Sequence, residues 1–208
     1  CQNYPLLEGM HTNLFKCFLP LGWNLKSEAG VVGYLHPEGV YDDPKGGELR
    51  QEIYKRLRYH FQFVNELKLF SDVGNQAKYS INVYGGLRPE IEFLSISNLF
   101  TPTTVLNSLN HDGDGLVGGY KTDDGKWNLE GHRDRVVKIN LDALRTFSDL
   151  YDEPGTSPHT AKLPAIHAGI LFSVLSKLAS HKRKISSTSG GAFSTVMWNE
   201  TTHKNNGT

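Results

Sequence analysis

The sequence predicts an α/β domain that gives way, after about residue 87, to a mixed α+β region. Three observations carry this expectation. Val31 to Leu35 is a short, nearly continuous apolar run, the kind that forms strands buried on both faces in parallel sheets. From about Glu48 to His60, Leu49, Ile53 and Leu57 recur every four residues while Arg50, Lys55, Arg56 and Arg58 face elsewhere, which is helical spacing. Tyr79 to Tyr84 alternates with period two, as a strand does.

In chain order, Thr12 is the expected N-cap of an amphipathic helix carrying Leu14, Phe15, Phe18, Leu19, Leu21 and Leu25, with Pro20 either kinking or ending it. The strand at 31–35 must stop at His36-Pro37, because proline cannot continue a central ladder. A Gly/Asp/Pro-rich loop over 38–47 precedes the helix. Phe61 to Leu69 reads as the next strand, 71–78 as a polar loop, and the strand at 79–84 ends at Gly85-Gly86. Helix, strand, helix, strand, strand is half of an α/β domain whose last two strands form a hairpin. Further on, 93–96 and 136–139 are strand candidates. Residues 101–109 and 141–151 read as helices, 163–177 as a helix or pair of turns, 110–134 as an acidic loop region and 186–191 as a Ser/Thr/Gly linker.

Composition narrows the classes of function. No apolar run approaches the ~20 residues of a membrane span, and none follows a basic stretch as in a signal peptide. Cys1 and Cys17 do not make a disulfide scaffold, and there is no CxxC spacing, so a reducing cytoplasm is the expected compartment. The start at Cys1 and the end at Thr208, soon after an apolar stretch over 192–198, suggest a piece of a longer protein. The 22 basic and 22 acidic residues cancel, but unevenly. Residues 45–88 hold eight Lys/Arg against four Asp/Glu, 89–155 hold six against twelve, and 176–208 hold five against one. Such a pattern is compatible with a surface that tracks phosphates and equally with solvated helix faces.

Few motifs point to chemistry. Asn110 to Gly115 places oxygen ligands at alternate positions with a glycine sixth, but Lys121 stands where a calcium loop needs its bidentate carboxylate, so a tight acidic turn is expected. His36-Pro37-Glu38 and Glu130-Gly131-His132 each set a base beside a carboxylate without a third partner. His36 stands apart because it sits at the carboxyl end of a strand, where open α/β sheets bind ligands. No GxSxG, Walker or GxGxxG motif follows a predicted strand. Lys182-Arg183-Lys184 is the compact basic run, either a solvated helix end or a phosphate contact.

The succession Thr12-Asn-Leu-Phe15…Phe18, Gly30-Val-Val-Gly-Tyr-Leu-His-Pro-Glu-Gly-Val40, Leu49-Arg50, Val64-Asn-Glu-Leu-Lys-Leu-Phe70 and Lys78-Tyr-Ser-Ile-Asn-Val83 resembles the second half of an adenine-N6 DNA methyltransferase domain. The likeness is to the class I, S-adenosylmethionine-dependent large methylases of restriction-modification and BREX-like phage-defence systems. It implies that residues 1–86 form the C-terminal half of a Rossmann-like catalytic domain, and that 87–208 lead into a family-specific DNA-recognition region. It also implies S-adenosylmethionine as cofactor, double-stranded DNA as partner and other defence subunits as further candidates, with no membrane.

The family's glycine-rich cofactor motif and its Asn-Pro-Pro-Tyr motif are absent from the sequence and expected before Cys1, so this chain alone is not expected to methylate. By position, Phe70 matches the aromatic residue that stacks on the flipped-out adenine at the end of the next-to-last strand; alternatively it is a core residue there. His36 and Pro37 would border the same site, and Lys78 would meet a phosphate. Two other readings stay open: a non-catalytic DNA-binding or scaffold module, and a small-molecule or protein methyltransferase on the same sheet.

Overall fold

The computed structural model of the chain describes residues 3–11 and 13–181. A 3-10 turn at Pro5–Leu7 leads into helix α1 (Leu14–Leu25), strand β1 (Val32–Pro37), the one-turn helix α2 (Gly39–Asp42), helix α3 (Gly47–Arg56) and strand β2 (Leu57–Val64). Strands β3 (Lys78–Tyr84) and β4 (Glu92–Leu99), helix α4 (Thr103–Asn110), strand β5 (Val137–Asn140) and helices α5 (Leu141–Tyr151) and α6 (Ile170–Ser180) follow. No described helix is long and apolar enough to cross a membrane.

The five strands form one mixed sheet in the order β1-β3-β2-β4-β5. The β2–β3 hairpin folds β3 back between β1 and β2, antiparallel to both. Strand β4 then lies parallel to β2 on its other side, and β5 runs antiparallel to β4. Residues beyond position 86 therefore extend the same sheet. They also share its main core, which joins Leu19 and Trp23 of α1, Leu49 and Ile53 of α3, Phe93 of β4, Val137 and Ile139 of β5, and Leu144 and Phe147 of α5. A smaller core of Phe63, Tyr79, Ile96, Leu99 and Val105 lies where α4 packs on the opposite face.

Several sequence expectations are corrected in physical terms. Thr12 lies outside the described residues, and the cap of α1 is Asn13, whose Oδ1 accepts from the Phe15 amide. Pro20 sits inside α1 and does not end it. Strand β1 is not buried on both faces: the inserted β3 is its one partner among the described strands, and Leu35, like Val31 just before the strand, is more than half exposed. The predicted loop over 38–47 contains α2.

The helix expected to reach His60 stops at Arg56, because Leu57-Arg-Tyr-His-Phe-Gln-Phe-Val64 carries its own period of two and pairs with β3 and β4. Leu57, the third apolar residue of the helical spacing, is instead the first residue of β2 and wholly buried. The same strand ends at Val64, short of the predicted Leu69, so Phe70 lies in the β2–β3 loop and not at a strand end. In the last part, 163–169 are irregular before α6. The linker at 186–191 and Lys182, Arg183 and Lys184 lie outside the described residues.

Two positions test the packing. Phe147 is fully buried and meets Phe172 edge-on at 5.9 Å between ring centres. Phe147→Ala is expected to lower unfolding stability by about 3–5 kcal/mol, whereas Leu116→Ala, at a residue 98% exposed, should stay within about 0.5 kcal/mol; chemical denaturation of both variants checks this. Gly131 lets its loop lie against α4, since a Cβ there would overlap the backbone of Asn107 and Ser108. Gly131→Ala should therefore destabilise more than its single added methyl suggests.

Candidate functional site

At the carboxyl ends of β1 and β2 the sheet presents different chemistry on its two faces. Alternation along the strands puts His36, Ser80, Asn82, Tyr84, His60 and Gln62 on the side of α1 and α3. Pro37, Tyr79, Ile81, Phe61 and Phe63 lie on the other.

The helix side holds a buried polar network. His36 donates from Nδ1 to the Pro37 carbonyl at 2.8 Å, which leaves Nε2 to accept from Asn82 Nδ2 at 3.0 Å and the Tyr84 hydroxyl at 3.1 Å; the tautomer is assigned from these partners. Asn82 gives its second amide hydrogen to Ser80 Oγ at 2.8 Å and accepts from the Tyr41 hydroxyl at 2.6 Å. Beside it, His60 donates from Nε2 to Glu38 Oε1 at 3.2 Å, and its Nδ1 is hydrogen-bonded to Ser95 Oγ at 2.9 Å. Phe15 of α1 stacks on the His36 ring at 5.6 Å, and Tyr41 meets His60 edge-on at 4.8 Å.

Burial pushes His36 below its ordinary value of 6.5, against the pull of the Pro37 carbonyl and Glu38, and this favours the neutral imidazole. Burial alone would raise Glu38, but the charge and hydrogen bond of His60, helped by Ser80 and His36, hold it below the ordinary carboxylate value. Tyr41 and Tyr84 are raised by burial, so both remain hydroxyl donors.

The other face carries an aromatic group. Phe63 and Tyr79 stack nearly parallel at 5.6 Å, and Phe70 meets Tyr79 edge-on at 5.0 Å. Phe63 and Tyr79 are buried, while Phe70 is 41% exposed. Asn65, wholly buried at the end of β2, holds the loop that carries Phe70. It donates to the carbonyls of Phe70 and Val73 at 2.8 and 2.9 Å, and its Oδ1 accepts from the Phe70 amide at 3.0 Å. Lys68, in the left-handed conformation at φ 53°, donates from Nζ to the Val73 carbonyl in the same loop.

The sequence-predicted residues thus gather at one end of the sheet but on two sides of it. Phe70 and Pro37 lie toward the aromatic face, and Pro37 is exposed opposite Tyr79 in the β1–β3 register. His36 is 3% exposed on the helix face, with both ring nitrogens engaged, so it acts as a structural hub and borders no open site. Lys78 is exposed at the start of β3. Sequence reasoning missed His60, Asn82, Tyr41 and Asn65. A signal existed in Tyr79 to Tyr84, whose alternate residues Ser80 and Asn82 are polar, but alternation reports two faces and not which of them is dry.

Elsewhere, Asp112 Oδ1 accepts from the Asp114 amide, with Gly113 and Gly115 at φ +102° and +88°, which is the acidic turn expected there. His132 caps the 3-10 turn at Arg133–Arg135 by accepting from the Asp134 amide.

The His36 environment makes a pH prediction. A histidine whose folded value lies below its unfolded 6.5 supports the fold fully above pH 6.5, and this support is lost as pH falls from there through the folded value. His167, also lowered by burial, adds to the same slope. The unfolding midpoint should therefore fall on acidification below about pH 6.5. In His36→Gln the midpoint at pH 8 should be lower but its decline towards pH 5 shallower, as thermal melts across that range would show.

No family model matches the sequence, and no curated protein does. Among solved structures, the chain is similar to the type IIG restriction endonuclease BpuSI, with 16% identity over 68% of this chain and a TM-score of 0.40. It is also similar to a component of a type I restriction-modification system studied for complex assembly and conformational transition, with 12% identity over 73% of this chain and a TM-score of 0.35. The chain spans 16% and 33% of the lengths of those two chains. At these values the likeness extends to neither activity nor substrate.

Proposed function

We propose that the chain is part of a DNA adenine-N6 methyltransferase of a restriction-modification or phage-defence system, and that it supplies the surface on which the extruded adenine rests. The observation that carries this reading is Phe70: a half-exposed ring at the carboxyl end of the sheet, backed by Tyr79 and Phe63, on a loop pinned by a buried asparagine. A base turned out of a duplex loses its stacking partners, and an aromatic face restores part of that energy in a way every base can use. The succession β1, α3, β2, β3 agrees with the strand, helix and strand pair on which the resemblance rests. The exposed Lys78 adjoins this end of the sheet and suits a phosphate of the same strand.

S-adenosylmethionine is the methyl donor this reading requires, with double-stranded DNA as substrate, other defence subunits as further partners and the cytoplasm as compartment. The residues present do not fit the donor. The sequence has no GxGxxG motif after a strand and no Asn-Pro-Pro-Tyr, and His36 and His60 have both ring nitrogens committed to partners within the chain. Donor binding and alignment of the adenine amino group thus fall to residues outside these 208. This chain's share is to hold the base in place, which lowers the barrier by orientation.

The test is made in the intact parent enzyme on a duplex with 2-aminopurine at the target base. Phe70→Ala should weaken base extrusion by about 1–3 kcal/mol, seen as a smaller fluorescence rise and a slower methyl transfer, while Phe70→Tyr should retain both. An unchanged 2-aminopurine signal in Phe70→Ala would remove the stacking role. A parent that transfers no methyl group to adenine N6 would favour the non-catalytic DNA-binding module.

A further inference from the structure

At the opposite end of the sheet, where β2 and β4 begin, a cavity of about 390 Å³ is lined by Val31, Arg58, Tyr59, Arg88, Glu92, Phe93 and Leu94. Its charge is out of balance. The pairing of β2 with β3 shifts register between Leu57 and Tyr59, so Arg58 is the extra residue of a bulge, a device that re-aims a side chain. Its guanidinium is held in place by main-chain oxygens: Nη1 donates to the carbonyls of Arg56 and Leu57 at 2.9 and 3.2 Å, and Nη2 to the carbonyl of Gly86. Gly85 makes room for it, since a Cβ there would come within 2.8 Å of Nη2 and 2.9 Å of Nε.

These bonds leave Nε–H and one Nη2–H of Arg58 without an acceptor among the described residues, and no described carboxylate pairs with the group. Arg88, exposed on the same rim, has no ion pair among the described residues either and stands near enough for its charge to oppose that of Arg58. The one acid of the cavity, Glu92, is bound to Lys138 at 2.7 Å. Holding two unpaired guanidinium groups together costs energy that an anion between them would recover. Beside them Tyr59 is 39% exposed, and Val31 and Leu94 line the same hollow, giving an apolar wall for a planar group.

We propose that this cavity is a second ligand site that takes a nucleotide, its phosphate between Arg58 and Arg88 and its base against Tyr59. The pairing of a fixed fork of donors with an adjacent ring matches a phosphate joined to a flat heterocycle, and the volume lies within the range of small-ligand pockets. The nucleotide is free or forms the phosphorylated end of a nucleic-acid strand; the chemistry recognised is the same.

The full 208-residue chain is titrated with AMP, inorganic phosphate, adenosine and a 5′-phosphorylated tetranucleotide, read by calorimetry and by amide NMR shifts. Saturable AMP binding with shifts at 58–59 and 88 is expected, stronger than that of phosphate or adenosine. Arg88→Gln, at an exposed position, should weaken AMP binding roughly tenfold or more, and Tyr59→Ala should weaken AMP while leaving phosphate unchanged. Arg58 also ties down the Gly86 turn, so its removal would disturb the backbone as well as the site, and the Arg88 and Tyr59 variants are the ones that report on binding. No saturable binding, or binding indifferent to Arg88→Gln, overturns the proposal. Binding of the tetranucleotide tighter than AMP identifies a strand end as the source, and equal or weaker binding a free nucleotide; either upholds the site.

Discussion

One buried amide ties together the end of the sheet on which everything else is arranged. Asn82, wholly buried in the middle of β3, reaches His36 on β1, Ser80 on its own strand and Tyr41 of α2, and the bond to His36 depends on β3 lying beside β1. An unpaired amide in that position would cost about 1–3 kcal/mol, so the insertion of β3 and the polar row it carries specify one another. A one-residue slip in the β1–β3 register would turn Asn82 to the aromatic face and bury Ile81 among hydroxyls. The network thus sets the register, and the register places Tyr79 opposite Pro37 and Phe63.

The two faces divide the labour. On the helix side, polar groups satisfy one another; the Glu38–His60 pair closes the network where it nears solvent, with Glu38 16% exposed and His60 2%. On the other side, rigidity is passed outward through Asn65, which fixes the Phe70 loop by its side chain, and through Tyr79, on which the Phe70 ring rests. A ring already held against a scaffold loses little freedom when something stacks on it, the condition for a site prepared before its ligand arrives.

The region beyond position 86 is fastened by a comparable device. Arg135, 2% exposed, donates to the carbonyls of Ser97, Asn98 and Glu130 and so clamps the end of β4 to the acidic loop region. Burial lowers it to about 10, well above neutral pH, and it stays charged. Asn98 takes a left-handed conformation at φ 59° where β4 ends, and Gln62 accepts from its amide. These contacts span 37 and 36 positions of sequence, and within the long loop over 110–134 the bridge between Lys121 and Trp127 adds local structure.

The sequence by itself determined the elements whose signal is local. The helix over 141–151 has an N-cap in Asn140 and a clear apolar stripe, the strand at 79–84 alternates, and His36-Pro37 ends its strand. Helix α3 and strand β2 overlap in sequence pattern because Leu57 satisfies both a spacing of four and a period of two, and local pattern cannot choose between them. Cross-strand pairing chose, since Tyr59, Phe61 and Phe63 find partners in β3 and β4 only when extended.

Tertiary structure alone decided that β1 has β3 as its neighbour, that His36 is a hub, that Phe70 sits on a loop held by Asn65, and that Arg58 is turned by a bulge towards Arg88. Each of these depends on which strand lies beside which. That is set by how the chain as a whole buries its apolar surface and satisfies its polar groups, a sum over residues far apart in sequence that no local pattern records.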